Sequence, residues 1–191
     1  MKEEILKNNE ARAKKMMLLF ALLSITMTFG GLTSAYVVSK GRPDWLEDLI
    51  LPISFTYSTL ILFLSSFTIH LSKFFLNKPN GKSNSLKFLI LTFIFGIAFL
   101  FFQFDGFNEF VKNGYYFAGS QSNVTTSFIY VLAFVHILHL IAGLIVLIVL
   151  MFRLQNDKYQ DSKLGFTLGV NFWHFLDLLW LYLFLFFYFF G

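Results

Sequence analysis

The 191-residue sequence contains no cysteine, which excludes disulfides and thiolate metal sites. Charge is also scarce. Asp, Glu, Lys and Arg make up 14% of the chain, against about 25% in soluble domains. Hydrophobic residues reach 57%, and phenylalanine alone occurs 28 times. A soluble core of this size does not hide so many rings, whereas a bilayer accepts them. The formal net charge of +4 raises the question of nucleic acid. Such binding would need the bases clustered on one solvated face, and their placement shows otherwise.

Five apolar stretches approach the roughly 20 residues that a membrane helix needs. They run over 16–39, about 49–71, about 86–104, about 127–152 and about 164–190. The first, second and fourth contain no Lys, Arg, Asp or Glu, and the third only Lys87 at its edge. Backbone groups have no water partners in hydrocarbon, so these stretches are expected as helices. The fold class is therefore all-α, a polytopic five-helix membrane protein. Residues 1–15 are read as a cytoplasmic N-terminal arm and 16–191 as the transmembrane domain. The 24-residue first span exceeds the apolar region of a secretory signal, roughly 7 to 15 residues, so it is expected to be retained.

The bases give a direction. Lys2, Lys7, Arg12, Lys14 and Lys15 precede the first span. Lys73, Lys78, Lys82 and Lys87 fall between the second and third, and Arg153, Lys158 and Lys163 between the fourth and fifth. Only Lys40, Arg42 and Lys112 lie on the other side. Positive residues favour the cytoplasm, so the N-terminus is expected inside and the C-terminus outside. That asymmetry accounts for the net charge and speaks against nucleic acid. Both outer loops hold more acid than base: Asp44, Glu47 and Asp48 in the first, and Asp105 and Glu109 at the start of the longer one, expected over 105–126. GSQSN (119–123) and KPNGKSNS (78–85) read as turn and flexible loop. No repeat, extramembrane domain or phosphate-binding glycine loop is evident.

The polar residues inside the spans are few. His70 lies near the inner end of the second span and reads as a surface or headgroup contact. His136 and His139 lie in FVHILHLIAG, and His174 and Asp177 in NFWHFLDLLW. Asp177 is the only acid in the spans, and both it and His139 are expected near the bilayer midplane. A lone carboxylate there costs several kcal/mol or takes up a proton. The expectation is a pairing of Asp177 with His139 across the last two helices, with His174, one turn away, as the competing partner. His136, His139, His174 and Asp177 are thus candidates for a structural polar network. Metal or haem ligation and proton relay stand as alternatives, although no further carboxylate completes a typical metal site. Gly165 and Gly169 form a small-xxx-small pair, with Gly30, Gly31, Ala142 and Gly143 as other small positions. Trp173, Trp180 and the terminal LFLFFYFFG offer aromatic surface, either for lipid, with Tyr188 as an interfacial anchor, or for another membrane subunit.

These residues carry a resemblance. WHFLDLLWLYLF (173–184) resembles the W-H-F-x-D-x-x-W-(L/I)-x-(L/I)-F signature of subunit III of haem-copper oxidases. SFIYVLAFVHILHLIAGLI (127–145) is similar to that family's Y-V-L-T-G-x-H-x-x-H-x-x-x-G segment, with His136, His139 and Gly143 matching. Phe134 and Ile137 stand where many members have Gly. SAYVVSKGRPDW (34–45), LPISFTYSTLILFLSSFTI (51–69) and Phe102 with Gln103 resemble the first three core helices in turn. The likeness runs from about Met16 to Gly191 and suits the bacterial five-helix form. One departure is informative: in FALLSIT (20–26), Ile25 occupies the position of a membrane-embedded Glu common in the family, so no proton-related role of that Glu transfers.

The resemblance implies a subunit without a redox centre, hence no catalytic residue, metal or cofactor of its own. Haems and copper are expected in partner subunits. It implies packing on catalytic subunit I, association with subunit II and other oxidase subunits, bound phospholipid, and possible membership of a respiratory supercomplex. The expected setting is the bacterial inner membrane, in a complex that reduces oxygen to water and pumps protons. A quinol oxidase subunit is the close alternative. A small haem-binding redox protein and a transporter are the alternatives from other classes.

Overall fold

The computed structural model describes residues 2–43, 45–46, 51–119, 122–159 and 162–191. Asp44, Glu47 and Asp48 of the first outer loop, and Ser120 and Gln121 of the expected GSQSN turn, lie outside the described residues. Five helices follow in order: α1 (Lys2–Val38), α2 (Ile53–Leu76), α3 (Lys82–Lys112), α4 (Val124–Gln155) and α5 (Leu164–Phe190). All five are long and apolar enough to cross a membrane, and no strand occurs among the described residues. The chain is an all-α protein with five helices of membrane-spanning type.

Most boundaries shift by a turn or so from the sequence reading; α3 begins at Lys82, so the last four residues of the expected KPNGKSNS loop are helical, because Gly81 and not the Lys-Ser-Asn-Ser run makes the turn. The N-terminal arm is not a separate element, because α1 begins at Lys2 and runs unbroken into the first span. α3 continues two turns past Phe104, so Asp105 and Glu109 ride on the helix and do not open a loop. The expected loop over 105–126 thus shrinks to 113–123. Asp105 is held there by Ser54, whose hydroxyl donates to Oδ2 at 2.8 Å. Gly106 does not break the helix because its missing side chain is used: a Cβ there would collide with the Phe55 ring of α2. α4 starts three residues earlier than expected. Asn123 caps it, its side-chain oxygen accepting the Thr126 N–H at 2.9 Å.

The tight connection between α2 and α3 has a backbone cause. Asn80 adopts φ 58°, and the next residue, Gly81, lies so close to the Phe75 carbonyl that a Cβ would overlap it. The two helices then run side by side in the most extensive packing of the molecule. α5 touches α1, α2 and α4, and α4 touches α1, α3 and α5, so the last two helices form the centre of the bundle. α1 is the least buried helix.

Small residues set the closest approaches. Trp173 of α5 lies against two of them: Cβ atoms built at Gly96 of α3 and Gly143 of α4 would lie 2.8 Å and 3.3 Å from its ring. At Gly169 a Cβ would meet Leu150 at 2.7 Å. Gly165, by contrast, faces Tyr159 and Arg153 with room to spare, and nothing lies within 4 Å of a Cβ at Gly30 or Gly31. The spacing of small residues alone does not tell these positions apart. What matters is which of them faces a bulky side chain on a neighbour.

Candidate functional site

Helix α2 is rich in hydroxyls, and their spacing decides which neighbour each one meets. Ser54, Ser58, Ser65 and Ser72 recur at four- and seven-residue intervals, the period of one helix face. Three of them turn to α3. Ser54 donates to Asp105, Gln103 Nε2 donates to Ser58 Oγ at 2.8 Å, and Ser72 Oγ donates to the Ser85 carbonyl at 2.8 Å. Thr68 and Thr92 add a hydroxyl pair at 2.9 Å. Such bonds fix register between helices where lipid provides no hydrophobic drive.

The hydroxyls turned towards α5 receive its aromatic and imidazole groups. Trp173 Nε1 donates to Ser65 Oγ at 2.8 Å, and Trp180 Nε1 donates to Thr59 Oγ1 at 3.0 Å. Both indoles are buried, at 1% and 0% exposure. This corrects the expectation that Trp173 and Trp180 form lipid or subunit surface. An indole N–H in hydrocarbon needs an acceptor, and α2 supplies one for each ring. The exposed aromatics of α5 are instead Tyr182, Tyr188, Phe189 and Phe190, in its C-terminal part.

The expected pair of Asp177 and His139 does not form. His139 Nδ1 bonds to the Val135 carbonyl of its own helix at 2.7 Å, and its ring lies edge-on to Phe29 of α1, 5.8 Å between centroids. Asp177 lines a groove between α2 and α5 instead, together with Thr59, Ser66 and His174. The reason is angular. Trp173, Leu176 and Trp180 occupy the α5 face turned into the bundle, where Leu176 and Trp173 press on Gly143. Asp177 and His174 project to the α2 side of that face, whereas His139 looks to α1 on the other. Equal depth in the membrane does not bring two side chains together when a packed seam separates them.

Within the groove, Ser66 Oγ and His174 Nδ1 are 2.7 Å apart. The same hydroxyl faces the Asp177 carboxyl, whose oxygens are buried, so it can accept from His174 Nδ1–H and donate its own proton to Asp177. The His70 ring, exposed on α2, is 6.3 Å from that of His174. His70 is therefore a neighbour of this cluster as well as a surface group. The α2 hydroxyls and His70 were missed as site residues. Their signal was available in the spacing of Thr59, Ser66 and His70, which share one face of α2.

His136 stands apart. It is fully buried among Phe29, Phe99 and Trp180, with centroids 6.5, 6.0 and 5.3 Å away, and neither ring nitrogen has a partner in the chain. Among the described residues no three His, Asp or Glu side chains converge as metal ligands would. Ile25, at the family's Glu position, is partly buried against the apolar core.

The sequence profile of cytochrome c oxidase subunit III matches residues 11–191, nearly the whole chain and all of the seam just described. The chain belongs to the cytochrome c oxidase subunit III family. It is 30% identical over 175 residues to cytochrome c oxidase subunit 3 of Thermostichus vulcanus, covering 87% of this chain and 82% of that one. It is 31% identical over 178 residues to cytochrome bo(3) ubiquinol oxidase subunit 3 of Buchnera aphidicola from Acyrthosiphon pisum, with 87% and 82% coverage. Cytochrome c oxidase subunit 3 of Rhipicephalus sanguineus is 35% identical over 133 residues, 69% of this chain but only 49% of that longer protein. Subunit III homologues thus occur in both cytochrome c and ubiquinol oxidases. Membership places this chain among the components of a multi-subunit oxidase complex, as a multi-pass membrane protein.

Proposed function

We propose that this chain is a non-redox structural subunit of a proton-pumping haem-copper terminal oxidase. It packs on the catalytic subunit I, beside subunit II, in the bacterial inner membrane with its N-terminus in the cytoplasm, and it holds phospholipid. The observation that carries this reading is how the α5 signature is used. Both indoles of WHFLDLLW bond to α2 hydroxyls, and His174 bonds to Ser66. The signature residues therefore serve helix cohesion. Electron transfer and oxygen chemistry would fall to haems and copper in partner subunits. His136, wrapped by three aromatic rings, has the surroundings of a core residue and not of an axial ligand approached by a flat macrocycle.

The electron donor of the complex is either cytochrome c or a quinol, since relatives of both kinds match over most of this chain. The test of the non-redox role is spectroscopic. The chain is stripped from its purified complex by detergent, and the haem absorbance of each fraction is measured. The expected result is that all haem stays with the larger subunits. A Soret band travelling with this chain would favour a haem-binding redox protein instead.

A further inference from the structure

Four helices close a ring, because α2 packs on α3, α3 on α4, α4 on α5 and α5 back on α2. At the end that carries the α2–α3 and α4–α5 connections, all four helix ends meet around one pocket. Leu76 closes α2, Lys82 opens α3, Leu154 lies in the last turn of α4 and Lys163 immediately precedes α5, and each of them lines it. Its volume is about 390 Å³, within the roughly 300–1,000 Å³ of ligand sites. The groove between α2 and α5 is walled chiefly by Leu, Phe and Trp, whereas this pocket is rimmed by charge. Lys78, Lys82 and Lys163 face a single carboxylate, Asp157, so its described lining has two positive charges in surplus.

These bases have structural contacts that do not exhaust them. Lys82 Nζ donates to the Gln155 carbonyl at 2.9 Å and pairs with Asp157 at 2.7 Å. Lys163 Nζ donates to the Leu76 carbonyl at 3.0 Å and to Asn77 Oδ1 at 3.3 Å. An ammonium has three N–H donors, so each of these two keeps one. Lys78 Nζ rests over the rings of Phe74 and Phe75, 4.4 and 5.5 Å from their centroids. Those contacts use its charge and spend no donor on an oxygen. The same bonds brace the pocket, since Lys82 ties the start of α3 to the end of α4 and Lys163 ties the start of α5 to the end of α2. Asn80 and Asp157, one in each connection, both line it and both hold left-handed backbone, at φ 58° and 56°. A rim fixed in this way loses little freedom when a ligand enters.

We propose that this pocket binds a phosphate group. Its surplus of two positive charges matches a phosphate dianion, and the donors left on three lysines match the phosphate oxygens in charge-assisted hydrogen bonds. The same chemistry comes from two sources, a phosphate-bearing solute and the head of an anionic phospholipid. The pocket lies over the centre of the four-helix ring and not on its perimeter, where lipid chains run, and this position favours the solute. The inference goes beyond the proposed function and holds whichever oxidase the chain serves.

The test reads individual lysines of the full chain in its purified complex, reconstituted in nanodiscs of phosphatidylcholine. A trace of an amine-acetylating reagent is added, and the acetylation of each lysine is quantified by mass spectrometry. Inorganic phosphate is titrated against chloride at constant ionic strength. Acetylation of Lys78 is expected to fall to a plateau, while Lys112, at the other end of α3, is unaffected. In Lys78→Gln, protection of Lys163 should need about tenfold more phosphate, the loss of one charge-assisted hydrogen bond. Asp157→Asn should bring saturation at less phosphate, because asparagine tolerates the left-handed backbone and the change is one of charge. Nanodiscs of phosphatidylglycerol supply the second source. Protection in them without added phosphate, and none by phosphate in phosphatidylcholine, supports the site and assigns it to a lipid head. Lysines that react equally with and without both sources would overturn the inference, and so would Lys112 protected in parallel with Lys78. An Asp157→Asn variant that needs more phosphate would also overturn it, since the carboxylate would then serve the site and not oppose it.

Discussion

At the scale of the residue, the structure separates groups that the sequence presents as equals. Gly143 and Gly30 are both small residues in apolar helices, yet only Gly143 faces Trp173 and Leu176, while Gly30 faces open space. Gly143→Val is expected to destabilise by about 1–3 kcal/mol, the usual penalty of overpacking, and Gly30→Val by much less. Thermal unfolding of both variants in one detergent checks this. The indole bonds offer a second measurement. A double-mutant cycle on Trp173→Phe and Ser65→Ala should give a coupling of about 0.6 kcal/mol and not above about 1.7, the span found for interhelical bonds in membranes. A coupling near zero would mean that Ser65 does not hold the indole. The identities of Asp177 and His174 as the exceptional polar residues were legible in the sequence. Their partner was not, because the angle of a side chain about its helix relative to three neighbours is a property of the packed bundle.

At the scale of the element, hydropathy located all five helices and erred at their ends. Apolarity marks where a chain meets lipid, but a helix stops where its hydrogen bonding is interrupted. α3 carries Asp105 and Glu109 beyond its apolar stretch because nothing there breaks the backbone and Ser54 binds the first acid. The hydroxyl pattern of α2 predicts a register. Ser58 and Ser72 bond to Gln103 and Ser85, groups near opposite ends of α3. Ser58→Val leaves Gln103, which is fully buried, without its acceptor, and a loss of about 1–3 kcal/mol is expected. Adding Gln103→Leu should recover most of it, since removing both partners avoids the unpaired amide. Hydrogen exchange along α2 and α3 would report the loosening and the recovery.

At the scale of the whole molecule, the placement of the bases bears on direction in the membrane. The connections and helix starts at one end carry Lys82 and Lys163, and these bases are built into the structure. Lys82 bonds to the Gln155 carbonyl and pairs with Asp157 at 2.7 Å, while Lys163 caps the end of α2 through the Leu76 carbonyl. They therefore hold helix ends as well as marking a side, consistent with cations at helix C-termini. The absence of cysteine makes sidedness measurable. Lys87→Cys and Lys112→Cys, at opposite ends of α3, should differ in labelling by an impermeant maleimide applied to intact cells. Lys112→Cys is expected to react and Lys87→Cys to stay protected until the membrane is opened. The reverse pattern would invert the orientation inferred from the bases. Family membership was legible in the sequence because the α5 signature combines rare residues at fixed spacing.

The most direct test of the account is purification of the tagged full chain from its native membrane in mild detergent, with mass-spectrometric identification of what accompanies it. The account predicts co-elution with a haem-bearing catalytic oxidase subunit in fixed proportion. Elution of the chain alone, or with membrane proteins unrelated to oxygen reduction, would contradict it.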